Sequence, residues 1–255
     1  MRTQDRIRRK LGRMRDAAVA RCIAKPLHTH AAPWMLEYRP DSHFLHHRIQ
    51  DDDALIRAWM QGHTTNNAGD LARFYNLYLN IEQVLREQIQ GDFVELGVYK
   101  GNSAFLLAHL ARRAGRHLYL FDTFSGFDSR DFVGEDRKRM HGHFSDTSLA
   151  GVRALVGESA VTYVKGFFPD SLSTVSPPET LAVVHLDCDL YEPMRAGLET
   201  FYPRLSPGGI MFLHVYSSGE WPGAQRAIDE FLQDKPERVV LIPDKSGTAV
   251  LRRNL

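Results

Sequence analysis

Two carboxylates and a histidine stand where short apolar runs of the sequence end. "HLDCDLYEP" carries Asp187 and Asp189 two residues apart, and in an extended chain that spacing puts both side chains on one side. "GGIMFLHVY", residues 208–216, delivers His214, Val215 and Tyr216 to the end of another such run. Carboxylate oxygens of this kind suit hard divalent cations such as magnesium, usually with help from a neighbouring strand. Val215 can coordinate nothing. His214 has three readings: a ligand for a softer ion such as zinc or manganese, a general base that removes a proton from a hydroxyl, or a hydrogen-bonded histidine at a strand end. The residue types leave the three open. "RKRMHGHFSDTS" adds His141 and His143 in a loop that could close over a substrate, with His141 the candidate base or contact. Arg137, Lys138 and Arg139 beside them read as a solvated charge run.

A second cluster points to an anionic or nucleoside ligand. In "ELGVYKGNSAFLLAHL", Glu95, Gly97 and Gly101 surround a turn from a strand into a helix. Glycine lets a backbone pass close to a ligand, and the helix N-terminus beyond offers unpaired N–H groups to an anion. The spacing E-x-G-x-x-x-G departs from the dinucleotide fingerprint G-x-G-x-x-G, which disfavours NAD. The next strand ends in "FDTFSGF", and Asp122 falls where a doubly wound fold places the acid that grips ribose hydroxyls.

These residues need a scaffold that brings strand ends together, and the pattern supplies one. Apolar runs at 92–98, 117–123, 161–166, 181–188 and 208–216 alternate with helical periods at "NSAFLLAHLARRAG", "LAGVRALVG", "MRAGLETFYPRL" and "PGAQRAIDEFLQDK". Strand and helix in alternation build a parallel sheet. Two further runs, 238–244 and 247–253, are joined too tightly for a crossover helix and predict an antiparallel hairpin at one side. Upstream, "DLARFYNLYLNIEQVLREQIQ" places Leu71, Phe74, Tyr75, Tyr78, Ile81, Leu85 and Ile89 at helical steps, with Gly91 as the expected stop.

Bulk properties narrow the class. The 255 residues are 43% hydrophobic with a net charge of +1, enough to bury a full core. Neither a membrane-spanning run of about 18 apolar residues nor a secretory leader is evident. Cys22 and Cys188 lie far apart, and the chain reads as a reduced, cytoplasmic protein. The first 25 residues are strongly basic, whereas the remainder is mildly acidic. That arm is read as a solvated helical extension, or as a weak contact for an anionic membrane surface. It lacks a single basic face, so nucleic acid is not expected as a partner. His28, His30, His43, His46 and His47 lack matching cysteines and read as exposed loop residues rather than a zinc site. The expected division is residues 1–65 as arm and irregular extension and 66–255 as one domain.

"GDFVELGVYKGNSAFLL", "YLFDTFSGF", "FSDTS", "VKGFFPDSL", "VHLDCDLYEP", "FYPRLSPGGI" and "PGAQRAIDEF" together resemble the macrocin O-methyltransferase (TylF-like) family of S-adenosylmethionine-dependent enzymes. The resemblance spans roughly residues 66 to 253. It implies a Rossmann-like class I methyltransferase fold, α/β, with a seven-stranded, mostly parallel sheet, an antiparallel last strand and a helical N-terminal extension. It implies S-adenosyl-L-methionine as cofactor, with Glu95, Gly97, Tyr99, Gly101 and Ser103 near its methionine end, Asp122 at the ribose, and Asp146 and Thr147 at the adenine.

It also implies a divalent metal, magnesium or manganese, at Asp187, Asp189 and His214. Relatives carry Asp-Asp-Tyr or His-Asp-Tyr where this chain has His214-Val215-Tyr216, so magnesium affinity is expected to fall. The expected catalytic residues are His214, Asp187 and His141. The implied acceptor is a sugar hydroxyl of a natural product or surface-polysaccharide precursor. Trp221, Tyr75, Tyr78 and His63 suggest a semi-polar pocket for that glycosyl or other small-molecule acceptor. The competing reading, motivated by Val215, is a cofactor-binding scaffold without catalysis. A homo-oligomer is expected in either case.

Overall fold

The computed structural model describes Leu55, Ala58, Trp59, residues 70–138 and residues 143–254. The basic arm, the His28 to His47 stretch, His63 and His141 lie outside the described residues.

The five apolar runs form parallel strands β1 (Asp92–Leu96), β2 (Leu118–Asp122), β3 (Val161–Lys165), β4 (Leu181–Leu186) and β5 (Leu205–Leu213). The sheet order is β3-β2-β1-β4-β5-β7-β6. β6 (Val240–Leu241) and β7 (Ala249–Arg252) form the expected hairpin, and β7 runs antiparallel to β5. β4 is buried along its whole length, as a central strand covered on both faces must be. The strand order reverses between β1 and β4. In an open α/β sheet that reversal opens a crevice beyond the carboxyl ends of the strands, which is where Gly97, Asp122, Asp187 and His214 emerge.

Two boundaries differ from the sequence pattern. β5 stops at Leu213, not Tyr216, because Val215 takes a left-handed backbone angle (φ 58°) that breaks the ladder. β6 shrinks to two residues, since the edge of the sheet leaves Val240 and Leu241 exposed with no face to bury.

The upstream helix α1 (Leu71–Arg86) packs against β5. Its buried stripe is Arg73, Phe74, Leu77, Tyr78, Ile81 and Val84, shifted from the predicted face, while Tyr75 and Leu85 stay half-buried. Trp59 meets Phe74 edge-on at 5.5 Å, and Phe74 stacks on Tyr78 at 5.7 Å. Tyr78 is therefore a core residue and not part of an acceptor pocket. Asp70 caps α1 by accepting from the Arg73 N–H, and its other oxygen accepts from the Lys245 N–H in the β6–β7 loop. One carboxylate thus pins the first turn of α1 to the rim of the sheet.

Gly91 does not stop α1, which ends at Arg86. At Gly91 (φ 125°) a Cβ would lie 2.6 Å from the backbone of Leu181 and Ala182, so glycine is required where the chain crosses the start of β4. Gly97 has the same origin: at φ 86° its Cβ would sit 2.1 Å from the Asp187 carbonyl oxygen. The glycine after β1 answers first to a neighbouring strand.

Three helices follow strands, α2 (Asn102–Arg113), α3 (Leu149–Val156) and α4 (Tyr191–Phe201), and α5 (Pro222–Leu232) precedes the hairpin. Each lies within a few residues of its predicted span.

Candidate active site

A cavity of about 460 Å³ opens at the carboxyl ends of β1, β2, β4 and β5. Gly97, Tyr99, Ser103 and Asp122 line one part of it, and Asp187, Asp189 and His214 line another. Glu95, Gly101, Asp146 and Thr147 are not on its wall. Glu95, Asp146 and Thr147 instead hold residues that are, and Gly101 precedes the first turn of α2.

Glu95 is fully buried under the turn. Its Oε1 accepts from Ser103 Oγ at 2.6 Å and lies 2.8 Å from His185 Nδ1, whereas Oε2 has no partner. Burial pushes the Glu95 carboxyl well above the ordinary carboxylate range and His185 down to about 4. The pair is therefore a neutral hydrogen bond and not an ion pair. Arg73 fixes the tautomer: its Nη2–H faces His185 Nε2 at 3.3 Å, and an acceptor there leaves the ring proton on Nδ1, donated to Glu95.

Asp122 holds the turn itself. Oδ2 accepts from the Val98 and Tyr99 N–H groups at 2.6 and 2.9 Å, and Oδ1 accepts from Phe124 N–H at 2.6 Å. Burial raises its carboxyl despite these donors. The Thr123 hydroxyl also lies 3.4 Å from Oδ1. Asp146 accepts from the Tyr99 hydroxyl at 2.6 Å and pairs with Lys100, while Thr147 Oγ donates to the Tyr99 carbonyl. The segment 144–147 thereby clamps the β1–α2 turn, and Phe144 meets the Tyr99 ring edge-on at 4.9 Å.

At the other end, the three candidate ligands do not converge. Arg73 Nη2 is 2.6 Å from Asp187 Oδ2, with the arginine side chain 3% exposed. His214 Nε2 is 3.7 Å from Asp187 Oδ1. Val215 is apolar and buried, and Asp189 sits on a left-handed backbone (φ 61°). Among the described residues no group of three or more His, Cys, Asp or Glu side chains could hold a metal ion. Magnitudes agree. At about 4 Å and an effective dielectric near 20, a divalent ion gains about 8 kcal/mol from one carboxylate and loses about as much to one guanidinium. Asp187's charge is already matched by Arg73, so the donor set expected for magnesium or manganese does not fit the ion.

His214 is buried, and its Nδ1 lies 2.9 Å from Thr248 Oγ. Thr248 donates its hydroxyl hydrogen to Asp244 Oδ2 and accepts nothing from that carboxylate. Its oxygen must therefore accept from His214 Nδ1–H. The Nε2 lone pair is left facing Asp187 and the cavity. Burial, then Arg73 and His185, hold His214 well below its ordinary pKa, so the ring is neutral.

Phe127, Phe144, Trp221 and His143 form an aromatic wall over the cavity, with Phe127 and Trp221 edge-on at 5.7 Å. Trp221 is where an acceptor pocket was expected. Tyr75 and Tyr78 do not line the cavity.

The sequence profile of the macrocin O-methyltransferase (TylF) family matches residues 46–242. The chain belongs to this family. It is 34% identical over 160 residues, 58% of this chain, to the 8-demethyl-8-(2,3-dimethoxy-alpha-L-rhamnosyl)-tetracenomycin-C 4'-O-methyltransferase of Streptomyces olivaceus, 61% of which is covered. It is 30% identical over 177 residues, 63% of this chain, to the demethyldecarbamoylnovobiocin O-methyltransferase of Streptomyces niveus, 65% of which is covered. The chain thus spans slightly under two thirds of the length of these curated relatives. Among solved structures, the O-methyltransferase NovP superposes with a TM-score of 0.66 at 26% identity, covering 75% of this chain and 84% of that one. A methyltransferase of Podospora anserina, solved with S-adenosylhomocysteine, shares the fold with a TM-score of 0.51 at 15% identity, covering 88% of this chain and all of the other.

Within this TylF-family chain, spacing alone concealed Arg73, His185, Asp244 and Thr248. Arg73 carried a weak signal, as a charged residue adjoining the apolar stripe of α1. The others gave none.

Proposed function

We propose that this chain is an S-adenosylmethionine-dependent O-methyltransferase whose acceptor is a sugar hydroxyl of a natural product or surface-polysaccharide precursor. The observation that carries the reading is one cavity with two ends: a turn organised by Asp122 and Glu95, and His214 Nε2 facing Asp187 across 3.7 Å. Family membership and the named activities of the two Streptomyces relatives support it.

The cofactor supplies an electrophilic methyl on a sulfonium. Gly97, Tyr99, Ser103 and Asp122 would hold it, with Asp146 and Thr147 acting through the Tyr99 turn. The remaining task is to align a hydroxyl and take its proton. His214 Nε2 and Asp187 Oδ1 are both acceptors, so a hydroxyl hydrogen between them satisfies either. As the oxygen forms its bond to the methyl carbon, the proton passes to His214 Nε2 and the S–CH3 electron pair stays on sulfur. The charge gained by the His214 imidazole would balance the one given up by the cofactor, leaving the site's net charge unchanged. Thr248 and Asp244 behind Nδ1 stabilise the imidazolium, as an orienting group does for a catalytic base. His214 is neutral before transfer, so its Nε2 lone pair is open to the hydroxyl proton.

His141, the other candidate base, lies outside the described residues. The basic arm as a weak membrane-surface contact and a homo-oligomeric state belong to the same proposal. Unchanged partitioning onto anionic vesicles after deletion of residues 2–25 would remove the membrane contact. Among the described residues no helix is long and apolar enough to cross a membrane.

The test is methyl transfer from S-adenosylmethionine to a panel of glycosides bearing free hydroxyls. Transfer to a sugar oxygen is expected. Cofactor binding without turnover on any hydroxyl acceptor would favour the non-catalytic scaffold.

A further inference from the structure

Arg73 is out of place for a solvated helix residue. Its guanidinium is buried at the first turn of α1, lines the cavity, and contacts both Asp187 Oδ2 and His185 Nε2 through Nη2. Two elements hold it: α1, capped and tied to the β6–β7 loop by Asp70, and β4 with the residue just past its end, which contribute His185 and Asp187. Arginine stays protonated in proteins, so a permanent cation is fixed beside the two acceptors that would receive the hydroxyl.

The donor set nearby argues against a second cation in the same place. Asp187 is bound by Arg73, Val215 offers no ligand, and His214 presents one neutral nitrogen. Soft-ion binding would need further convergent ligands, which the described residues do not provide.

We propose that Arg73 supplies the positive charge that a divalent cation would otherwise bring to the acceptor oxygen, and that methyl transfer by this protein needs no metal. This rests on the methyltransferase reading. The balance is complete without another reactant: the acceptor O–H proton goes to His214 Nε2, the O–CH3 bond forms, the S–CH3 bond breaks, and its electron pair remains on sulfur as a thioether. Arg73 is unchanged at the end. Its field stabilises negative charge on oxygen during transfer, and its contact with Asp187 sets the carboxylate facing His214.

Val215 offers a way to reverse the arrangement. It occupies a left-handed backbone conformation (φ 58°) that a β-branched residue adopts with strain and that aspartate tolerates better. Val215→Asp together with Arg73→Ser would remove the cation and add a carboxylate to the cavity that Asp187 lines.

The experiment uses full-length protein stripped with EDTA and titrates Mn2+, followed by its EPR signal, with and without S-adenosylhomocysteine. Wild type is expected to show no stoichiometric Mn2+ binding below about 1 mM, and the double variant to bind at least about 30-fold more tightly, as an added ligand charge dictates. Wild-type methyl transfer should be unchanged by EDTA. Arg73→Lys, which keeps the charge, should retain more activity than Arg73→Met, whose loss should reach about 100-fold or more. Micromolar Mn2+ binding by wild type, or EDTA inactivation reversed by Mn2+ or Mg2+, would overturn the proposal. So would equal activities for Arg73→Lys and Arg73→Met when both bind S-adenosylhomocysteine like wild type. If wild type fails to bind S-adenosylhomocysteine, the methyltransferase reading falls, and the Mn2+ titration alone still decides whether Arg73 excludes a metal.

Discussion

Thr248 decides which nitrogen of His214 carries the proton. Because its hydroxyl is donated to Asp244, Thr248 can only accept from His214 Nδ1, 2.9 Å away. The free lone pair then points at the cavity. Replacing Thr248 by valine removes that acceptor and leaves a buried N–H unpaired or the opposite tautomer populated. Thr248→Val should lower kcat about 10- to 100-fold with S-adenosylhomocysteine affinity unchanged, and Thr248→Ser should restore it. A proportional loss of binding in steady-state and titration data would mean Thr248 only supports the fold.

Gly97 and Gly115 both have positive φ, yet alanine should act differently at the two. At Gly97 a Cβ collides with the Asp187 carbonyl, whereas at Gly115 nothing lies within 4 Å. Gly115→Ala should cost about 1–2 kcal/mol from backbone strain alone. Gly97→Ala should cost about 3 kcal/mol or more and displace Asp187 from His214. Denaturant unfolding of both variants measures the contrast.

Asp131 sets a pH dependence on stability. Burial, then Asp128, raises its pKa to about 7 from an ordinary 3.8, and Oδ1 has no hydrogen-bond partner. A raised folded-state pKa means the folded chain keeps a proton that the unfolded chain loses. The cost is absent below about pH 4, grows between pH 4 and 7, and is complete above 7. Asp131→Asn should therefore stabilise the protein at pH 8 by roughly 1–3 kcal/mol after solvent screening, and not at pH 4. Melting curves at the two pH values check it.

Trp221 tests the acceptor wall. Its buried ring meets Phe127 edge-on above the cavity, so Trp221→Phe shortens the wall while keeping an aromatic ring in place. KM for the acceptor should rise several-fold while kcat and S-adenosylhomocysteine affinity hold. A change confined to cofactor affinity would place Trp221 at the other end of the site.

The sheet was legible because its strands are short apolar runs with turns between them, and burial on both faces leaves no other use for "LAVVHL". The end of β5 was not, since "FLHVY" continues the apolar pattern through a residue whose backbone turns left-handed. Gly97 and Asp122 stand where the sequence pattern puts them, at neighbouring strand ends beside one cavity. Their first partners were not legible in it: Gly97 yields to the Asp187 carbonyl and Asp122 to three backbone N–H groups. Arg73 was not singled out by the apolar periodicity of its helix, and only packing α1 against β5 shows it buried. His214, Thr248 and Asp244 are joined by β5, β7 and the loop before it, and no sequence spacing records that pairing.

The most direct test is calorimetric titration of S-adenosylhomocysteine into the purified protein in EDTA, repeated with magnesium or manganese. A cofactor site built on the Asp122 turn predicts one-site binding with the same Kd in all three conditions. No binding heat in any of them would contradict the methyltransferase account.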